Sequence, residues 1–205
     1  MKIKCIVTKP FGENCYVVSD DLNTGVIVDP GDSTEKISLY LMQNGIKPKV
    51  ILLTHGHFDH VGAVNSLKRE YNLMVCANIY EKGILKDPSM IYVFGGGGEA
   101  VEVDKWFKDG DVLNFGELSF KVLYTPGHTA GSSCFLIENH LFSGDTLFRE
   151  SVGRCDLPGG SFDAISNSIK SKIFSLDEKT LVYPGHGDMT DVGYEKIYNP
   201  YVTGE

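Results

Sequence analysis

The sequence predicts a single α/β domain, residues 1–205, in which helices cover a partly parallel sheet. Two observations carry this prediction. Short apolar, β-branched runs alternate with amphipathic segments through the first half of the chain, an order typical of layered α/β proteins. The 205 residues are 42% hydrophobic and 22% charged, which is the composition of an ordinary globular domain rather than of a disordered or fibrous chain.

The first half predicts strands and helices that alternate. Helical spacing of apolar residues predicts one helix that begins near Asp32, with Glu35 three residues later, and two more over Val61–Tyr71 and Ile79–Leu85. Residues 87–100 include four consecutive glycines and could form either a mobile flap or a plain surface loop. The apolar runs that predict strands are Ile3–Thr8, Cys15–Ser19, Val26–Val28, Lys49–Leu53 and Leu73–Ala77.

Strands dominate the second half of the chain. Phe162, Ile165, Ile169 and Ile173 recur at helical spacing after Ser161, which predicts a capped helix whose apolar stripe packs in the core. A short helix is expected near residues 191–198. The predicted strands are Val101–Phe107, Val112–Phe115, Leu118–Tyr124, Cys134–Ile137, Leu141–Ser143 and Leu181–Tyr183.

Charge and cysteine content exclude several classes of partner and site. Acidic side chains outnumber basic ones by 27 to 19, a formal net charge of −8. Binding to nucleic acid or to an anionic membrane needs clustered Lys and Arg, so neither is expected as a partner. The five cysteines show no Cys-x-x-Cys spacing, which argues against a disulfide framework or a zinc ribbon. With no signal peptide or spanning run visible, we expect a cytoplasmic protein.

Four predicted strands lead directly into a side chain of the type that binds metals. These side chains are His55, His128, Asp145 and His186. In layered α/β proteins, ligands bind beyond the carboxyl ends of strands. We therefore expect these four residues to lie close together, although they span more than 130 positions of the sequence.

The densest motif covers residues 54–60, which read Thr-His-Gly-His-Phe-Asp-His. At this composition, the pattern His-x-His-x-Asp-His arises by chance in a chain of this length on the order of a few times in ten thousand. On an extended loop, His55 and His57 point the same way, whereas Asp59 and His60 enter the next helix and point to a neighbouring place. Two groups of ligands predict two adjacent metal ions.

A lone histidine is more often a hydrogen-bonding residue than a metal ligand, but the joint occurrence of five of the six histidines with two aspartates favours metal binding. A set of His and Asp with no thiolate suits zinc, iron and manganese. The sixth histidine, His140, is expected to be an exposed residue in a hairpin turn.

These motifs resemble the metallo-β-lactamase superfamily, on the strength of residues 54–60, the Pro-Gly-His at 126–128, the Ser-Gly-Asp at 143–145 and the Pro-Gly-His at 184–186. The stretch 144–160 is similar to the glyoxalase II (hydroxyacylglutathione hydrolase)-like branch. The resemblance implies a four-layer αββα sandwich with a site for two divalent metal ions, zinc before iron or manganese. Many β-lactamases of this fold use a Cys in their site, which weighs against antibiotic hydrolysis here.

The resemblance also implies a role for each ligand. By position, the first metal would take His55, His57 and His128, the second would take Asp59, His60 and His186, and Asp145 would bridge both. Metal ions of this kind hold a hydroxide at neutral pH and polarise a carbonyl oxygen. The expected reaction is attack of that hydroxide on the carbonyl of a small-molecule thioester such as S-lactoylglutathione, with Asp59 as a catalytic residue that helps orient the water.

The substrate loop follows the family pattern only in part. Gly153 and Arg154 match it, but Asp156 stands at an aromatic position, and the basic C-terminal extension of longer glyoxalase II enzymes is not expected. Arg154 would bind a substrate carboxylate or anchor the loop. Asp29, at an early strand end, would support a metal ligand or form a turn, and would not itself bind metal.

Two rival functions share this ligand set. Persulfide dioxygenases use one iron, and their loop also contains Gly-Arg-x-Asp, as residues 153–156 do here. RNA-processing relatives share the His/Asp signature, but the net charge of −8 makes that function a weak alternative. The sequence does not predict an oligomeric state.

Overall fold

Two six-stranded sheets form the centre of the molecule in a computed structural model that describes residues 1–87 and 99–203. In the first sheet the two pairings at the N-terminal edge are antiparallel and the other three are parallel. Its strands, in spatial order, are β1 (Lys2–Val7), β2 (Asn14–Ser19), β3 (Thr24–Val28), β4 (Lys47–Leu52), β5 (Met74–Asn78) and β6 (Lys105–Phe107).

The second sheet is antiparallel except for one parallel pair in its middle, β10 with β13. Its strands, in spatial order, are β14 (Thr190–Asp191), β13 (Leu181–Pro184), β10 (His140–Gly144), β9 (Ser133–Ile137), β8 (Leu118–Tyr124) and β7 (Val112–Phe115). A small separate hairpin pairs β11 (Leu147–Phe148) with β12 (Ser151–Val152).

Helices flank both sheets. They are α1 (Thr34–Gln43), α2 (Phe58–Val61), α3 (Val64–Tyr71), α4 (Lys82–Lys86), α5 (Phe162–Ser168) and α6 (Val192–Tyr198). A 3₁₀ turn over Ile79–Glu81 precedes α4, and a π-helical turn over Ile169–Ile173 continues α5. Among the helices of the described residues, none has the length and apolar character needed to span a bilayer.

Three apolar clusters separate four layers. The first cluster joins Ile37 of α1 and Leu67 of α3 to the outer face of the first sheet. The second lies between the two sheets, where Leu52 of β4 and Phe142 of β10 belong to the same buried cluster. The third packs the α5 segment, with Ile165, against the outer face of the second sheet. This order of helices, sheet, sheet and helices confirms the predicted αββα sandwich.

Two predicted elements differ in extent. The strand predicted over Val101–Phe107 is only β6, because the amide of Val101 donates to the carbonyl of Leu85 at 2.8 Å and so does not pair with a strand. The helix predicted over Val61–Tyr71 is divided into α2 and α3. At the division Ala63 N donates to Pro30 O at 3.0 Å, so a neighbouring loop takes the place of helical hydrogen bonding.

Helix α1 begins at Thr34, two residues after Asp32, and its N-cap is Ser33 rather than Asp32. Ser33 has a left-handed conformation with φ of 64°, and it makes no side-chain cap to the helix. The carboxylate of Asp32 instead accepts from the amide of Ser33 itself. The predicted cap of α5 is confirmed, since the Ser161 hydroxyl accepts from Ala164 N at 3.3 Å.

Three further expectations need correction or lie outside the described residues. Phe162 is 48% exposed, so the core stripe of α5 begins at Ile165. His140 is not an exposed turn residue: it opens β10, is half-buried, and its Nδ1 lies 3.0 Å from the hydroxyl of Tyr183. The flap considered for residues 87–100 falls mainly on 88–98, which are outside the described residues.

Candidate metal centre

Four loops at strand ends bring the seven predicted ligands into one cleft. His55 follows β4, His128 follows β8, Asp145 follows β10 and His186 follows β13. The remaining three ligands lie on the loop after β4 and in α2. The convergence predicted from the strand ends is therefore present, because β10 and β13 run parallel and the packed sheets place the ends of β4 and β8 beside them.

The first group consists of three histidine nitrogens. His57 Nδ1 lies 2.8 Å from His128 Nε2, which in turn lies 3.2 Å from His55 Nε2. Neighbouring nitrogens around a tetrahedral zinc ion, with bonds of about 2.0–2.1 Å, lie roughly 3.3 Å apart. The three side chains His55, His57 and His128 thus form a group that could hold one metal ion.

Burial keeps the histidines of this group neutral. Burial lowers the pKa of His57 to about 3, with a further contribution from His128. Burial lowers the pKa of His55 and of His128 in the same direction. A neutral imidazole offers a free nitrogen lone pair, which is the form that ligates metal.

The second group lies next to the first and contains Asp59, His60 and His186. Asp59 Oδ2 lies 3.2 Å from His186 Nε2 and 4.0 Å from His60 Nε2. Two of these ligands, Asp59 and His60, come from α2, and His186 comes from the loop after β13. The group could hold a second ion, with one carboxylate and two imidazoles as ligands.

Asp145 lies between the two groups. One oxygen, Oδ1, is 3.3 Å from His60 Nε2 of the second group. The other, Oδ2, is 3.6 Å from His128 Nε2 of the first group and 3.7 Å from His186 Nε2 of the second. A carboxylate in this position can share its oxygens between two cations.

Two buried atoms in this centre fit a bound cation. Within residues 1–87 and 99–203, His60 Nε2 and Asp145 Oδ1 are buried side-chain atoms that have no hydrogen-bond partner, although they face each other. A buried polar atom without a partner costs about 1–3 kcal/mol. A metal ion that accepts both lone pairs would remove this cost, so the residues present fit metal binding.

Contacts behind the ligands select the nitrogen that faces the cleft. His60 Nδ1 lies 3.0 Å from Asp29 Oδ2, and His128 Nδ1 lies 2.7 Å from the carbonyl of Arg154. His55 Nδ1 lies 3.0 Å from the Thr54 hydroxyl. In each case the bond occupies Nδ1 and leaves Nε2 to point at the site.

Asp29 acts in this supporting way. Its two carboxylate oxygens accept from the amide of Thr54 at 2.7 Å, from the hydroxyl of Thr54 at 2.5 Å, and from His60. Although Asp29, His55 and His60 also lie close enough to form a metal-sized group, these hydrogen bonds already use the Asp29 oxygens. These contacts agree with the expectation that Asp29 supports a metal ligand and does not itself bind metal.

Sequence reasoning missed two residues that hold the loops. Asn14 Nδ2 donates to Pro184 O at 3.0 Å and to Gly187 O at 2.9 Å, on both sides of His186. Glu81 accepts hydrogen bonds from the loops that carry His55 and His128. The only signal in the sequence is that each is a polar residue beside a buried strand, which does not distinguish it from many others.

An open cleft of about 250 Å³ leads to the centre. Phe11 and Phe58 line one side and stack edge to face, with ring centroids 4.7 Å apart. Arg154 also lines the cleft, and its guanidinium makes two hydrogen bonds to Asp156, at 2.8 and 2.9 Å. The predicted substrate residue is therefore at the cleft, but its charge is already paired at an exposed position.

Known proteins resemble this chain over almost its whole length. The family model of the metallo-beta-lactamase superfamily matches residues 8–186. An uncharacterized protein of Aquifex aeolicus is 40% identical over 98% of this chain and 97% of its own length. Hydroxyacylglutathione hydrolase GloC of Haemophilus influenzae is 33% identical over 100% of both chains.

Solved structures give the same result. The B3 metallo-beta-lactamase BLEG-1 has a TM-score of 0.94 and 37% identity, covering 99% of this chain and 100% of its own. TTHA1623, solved in a di-iron-bound form, has a TM-score of 0.88 and 36% identity, covering 97% and 99%. ETHE1 from Myxococcus xanthus has a TM-score of 0.83 and 27% identity, covering 100% and 86%. The sequence motifs, the sandwich and these matches agree, and the chain belongs to the metallo-β-lactamase superfamily.

Proposed function

We propose that this metal-dependent hydrolase cleaves a small-molecule thioester of the S-lactoylglutathione type at a site for two divalent metal ions. The observation that carries the proposal is the position of Asp145, whose two oxygens face histidines of both groups at 3.3–3.7 Å. A carboxylate between two groups of ligands suits a site for two metals, because its shared negative charge would offset the repulsion between the cations.

The proposed ligands follow the two groups. His55, His57 and His128 would hold the first ion, Asp59, His60 and His186 would hold the second, and Asp145 would be shared between them. When bound, such ions lower the pKa of water to near 7 and polarise a carbonyl oxygen, which supplies the hydrolytic chemistry. Zinc is the first candidate, and iron or manganese fit the same donors.

The chain's own residues orient the reactants. Asp59 lines the cleft with its Oδ2 beside His186, so it is placed to accept a hydrogen bond from the attacking water. Arg154 would bind a substrate carboxylate at the mouth of the cleft. Phe11 and Phe58 provide an apolar wall for the methylene groups of the thiol or acyl part.

The name of GloC, a hydroxyacylglutathione hydrolase that matches this chain from end to end, supports the thioester proposal and the glyoxalase II-like branch. We also propose a cytoplasmic location and a small-molecule partner, with neither nucleic acid nor membrane bound. The excess of acidic residues, 27 against 19 basic, supports the last two points.

A second candidate is a persulfide dioxygenase with one iron. The observation that favours it is the loop from Gly153 to Asp156. Asp156 occupies the position at which the hydrolases carry an aromatic residue, and its carboxylate accepts two hydrogen bonds from the Arg154 guanidinium. The di-iron form of TTHA1623 supports iron as a metal that this fold can accept. The likeness to BLEG-1 adds β-lactams to the substrates that an assay should include.

One set of measurements on natively purified protein separates these functions. Metal content per chain is determined first, followed by hydrolysis of S-lactoylglutathione, oxygen uptake with glutathione persulfide, and hydrolysis of a chromogenic cephalosporin. The proposal predicts two ions per chain and thioester hydrolysis that stops on metal removal and returns on reconstitution. One tightly bound iron with oxygen uptake and no thioester hydrolysis would overturn it in favour of the dioxygenase.

A further inference from the structure

Glu81 is a carboxylate buried among neutral hydrogen-bond donors. The residue is 1% exposed and lies at the end of the 3₁₀ turn that precedes α4. Its Oε2 accepts from the amide of Gly56 at 2.7 Å. Its Oε1 accepts from the hydroxyl of Thr129 and from the amide of Gly131, each at 2.7 Å. Burying a carboxylate is costly, so three short bonds at one such group indicate a specific purpose.

The three donors belong to the two loops that carry the first ligand group. Gly56 lies between His55 and His57. Thr129 directly follows His128, and Gly131 lies two residues further along the same loop. One carboxylate therefore joins loops that are more than 70 positions apart in the sequence, at the place where their histidine nitrogens come within 2.8 Å of each other.

Glycine at both positions makes this close approach possible. A Cβ on Gly56 would lie 2.9 Å from Glu81 Oε2 and 2.6 Å from Ile84 Cγ2. A Cβ on Gly131 would lie 2.5 Å from Glu81 Oε1 and 2.7 Å from the Glu81 backbone nitrogen. The backbones at these two positions can reach the Glu81 carboxylate only because neither residue has a side chain. This is a second observation that the contact is specific.

The position of Glu81 is itself well defined. Asn78, at the carboxyl end of β5, caps the 3₁₀ turn by accepting from Tyr80 N at 3.0 Å. The same side chain donates to the Ser133 hydroxyl at 2.9 Å, and Ser133 donates to the carbonyl of Gly131 at 3.0 Å. Glu81 is thus held at the strand end, on an element that contains none of the proposed ligands.

We propose that Glu81 is a positioning residue for the first metal: it fixes the loop of His55 and His57 against the loop of His128 and so determines how tightly these three histidines bind an ion. The inference rests on the proposed metal site but not on the identity of the substrate. Only a carboxylate meets the requirement, because it accepts at both oxygens. In a glutamine, an NH₂ group would face one of the backbone amides, donor against donor.

The second group is held by different residues. Asp29 orients His60, and Asn14 holds the loop of His186. Neither accepts from nor donates to Glu81 in the described contacts. Loss of the Glu81 carboxylate should therefore weaken the first metal and leave the second nearly unchanged, which is a pattern that general destabilisation of the fold would not produce.

The test measures Co²⁺ affinity of metal-free protein for each group separately. His186→Ala removes a ligand of the second group and leaves the first intact, whereas His57→Ala does the reverse. Glu81→Gln is introduced into both backgrounds, and titration is followed by visible absorption and by competition with a chelator. We expect affinity to fall about 10-fold or more in the His186→Ala background, as for other residues that orient ligands. In the His57→Ala background it should change by less than about twofold.

Glu195→Gln is the matched control. Glu195 is 0% exposed and also accepts three hydrogen bonds, from Thr190, from the amide of Glu150 and from Asn199. None of these donors lies next to a proposed ligand. This variant should lower the melting temperature without changing Co²⁺ affinity in either background. Thr129→Val, which removes one of the three bonds to Glu81, should give a smaller loss of affinity and serves if Glu81→Gln does not fold.

Two outcomes would overturn the inference. In the first, Glu81→Gln and Thr129→Val leave the Co²⁺ affinity of the first group unchanged. In the second, they lower the Co²⁺ affinity equally in both backgrounds, and Glu195→Gln does the same. Failure of the proposed function looks different: the protein without any Glu81 or Thr129 substitution would then bind no Co²⁺ at these groups.

Discussion

The imidazole of His60 is fixed by the carboxylate of Asp29. His60 Nδ1 lies 3.0 Å from Asp29 Oδ2, and both side chains are buried. The contact directs His60 Nε2 toward Asp145 Oδ1, 3.3 Å away. Asp29 therefore selects the tautomer of His60 whose free nitrogen faces the proposed second metal.

Asp29→Asn should weaken binding of the second metal by about 10–100-fold. In the structure Thr54 N donates to Asp29 Oδ1 at 2.7 Å, and the amide oxygen of the new asparagine would keep this bond. The NH₂ group of the asparagine would then face His60 Nδ1. His60 would then accept at Nδ1 and carry its proton on Nε2, the atom needed for the metal. Titration of metal-free protein with Zn²⁺ against a chromogenic chelator measures the change.

Asp20→Asn is a suitable control for this variant. Asp20 is also buried, and its carboxylate accepts from the amides of Leu22, Thr24 and Glu117, away from the metal centre. Affinity for both ions should stay as in the original protein. An equal loss in Asp20→Asn and Asp29→Asn would show that the effect comes from stability and not from the tautomer of His60.

Gly153→Ala should disrupt the centre through the backbone. A Cβ at this position would lie 1.8 Å from the carbonyl oxygen of Asp145 and 3.2 Å from His128 Nδ1. The loop must move to accommodate it, at a cost of about 1–3 kcal/mol of folding free energy. Metal content per chain should fall along with the urea midpoint of unfolding.

The matching substitution is Gly83→Ala in α4, where an added Cβ meets no atom of residues 1–87 and 99–203 within 4 Å. Alanine in a helix is favoured over glycine by about 0.5–1 kcal/mol, so this variant should unfold at higher urea and keep its metal. If Gly153→Ala retained full metal content, the loop would be less closely tied to Asp145 and His128 than the structure indicates.

Arg154→Ala should raise KM for S-lactoylglutathione about tenfold and change kcat little. A hydrogen bond to a charged group contributes about 1.5–3 kcal/mol in favourable cases, and each 1.4 kcal/mol is a factor of ten. The exposed position of Arg154 argues for the lower end of this range. The carbonyl that orients His128 belongs to the backbone and remains in the variant. Steady-state kinetics with the anionic thioester separates KM from kcat.

Asp156→Ala provides the opposite change. Asp156 holds the Arg154 guanidinium through two hydrogen bonds, so its removal should release the guanidinium from this carboxylate and lower KM severalfold. Glu178→Gln, whose pair with Lys196 is 3.5 Å long and away from the cleft, should leave KM unchanged. Unaltered KM in both Arg154→Ala and Asp156→Ala would mean that the ion pair only anchors its loop.

Removal of metal should lower thermal stability. Each ion present at 100 times its Kd stabilises the folded state by about 2.7 kcal/mol. For a chain of this length, that corresponds to a decrease in Tm of roughly 5–10 °C for each ion removed. Differential scanning fluorimetry before and after chelation, with Zn²⁺ added back, measures it. A Tm that does not respond to chelation and reconstitution would argue that the two buried atoms His60 Nε2 and Asp145 Oδ1 are not metal ligands.

The sequence was informative wherever a residue type carries its own chemistry. His55, His57, Asp59 and His60 are adjacent in one motif, and strand ends marked the other three proposed ligands. The core layers were predictable for a similar reason, since apolar spacing within a segment reports which face of that segment is buried.

The supporting residues could not be predicted, because their roles depend on contacts between distant segments. Nothing near Glu81 in the sequence indicates that its carboxylate meets Gly131, 50 positions later. Asn14 reaches Pro184 across 170 positions. The errors at Val101 and His140 have the same origin: tertiary hydrogen bonds to Leu85 and Tyr183 determined their local structure.

The most direct test of the two-metal site is anomalous diffraction from crystals grown with Zn²⁺, with data collected on both sides of the zinc absorption edge. We predict two peaks about 3.5–4 Å apart. One should lie among His55, His57 and His128, and the other among Asp59, His60 and His186, with Asp145 in contact with both. A single peak at the first group, with Asp145 and His60 bound to no metal at full occupancy of that group, would contradict the account.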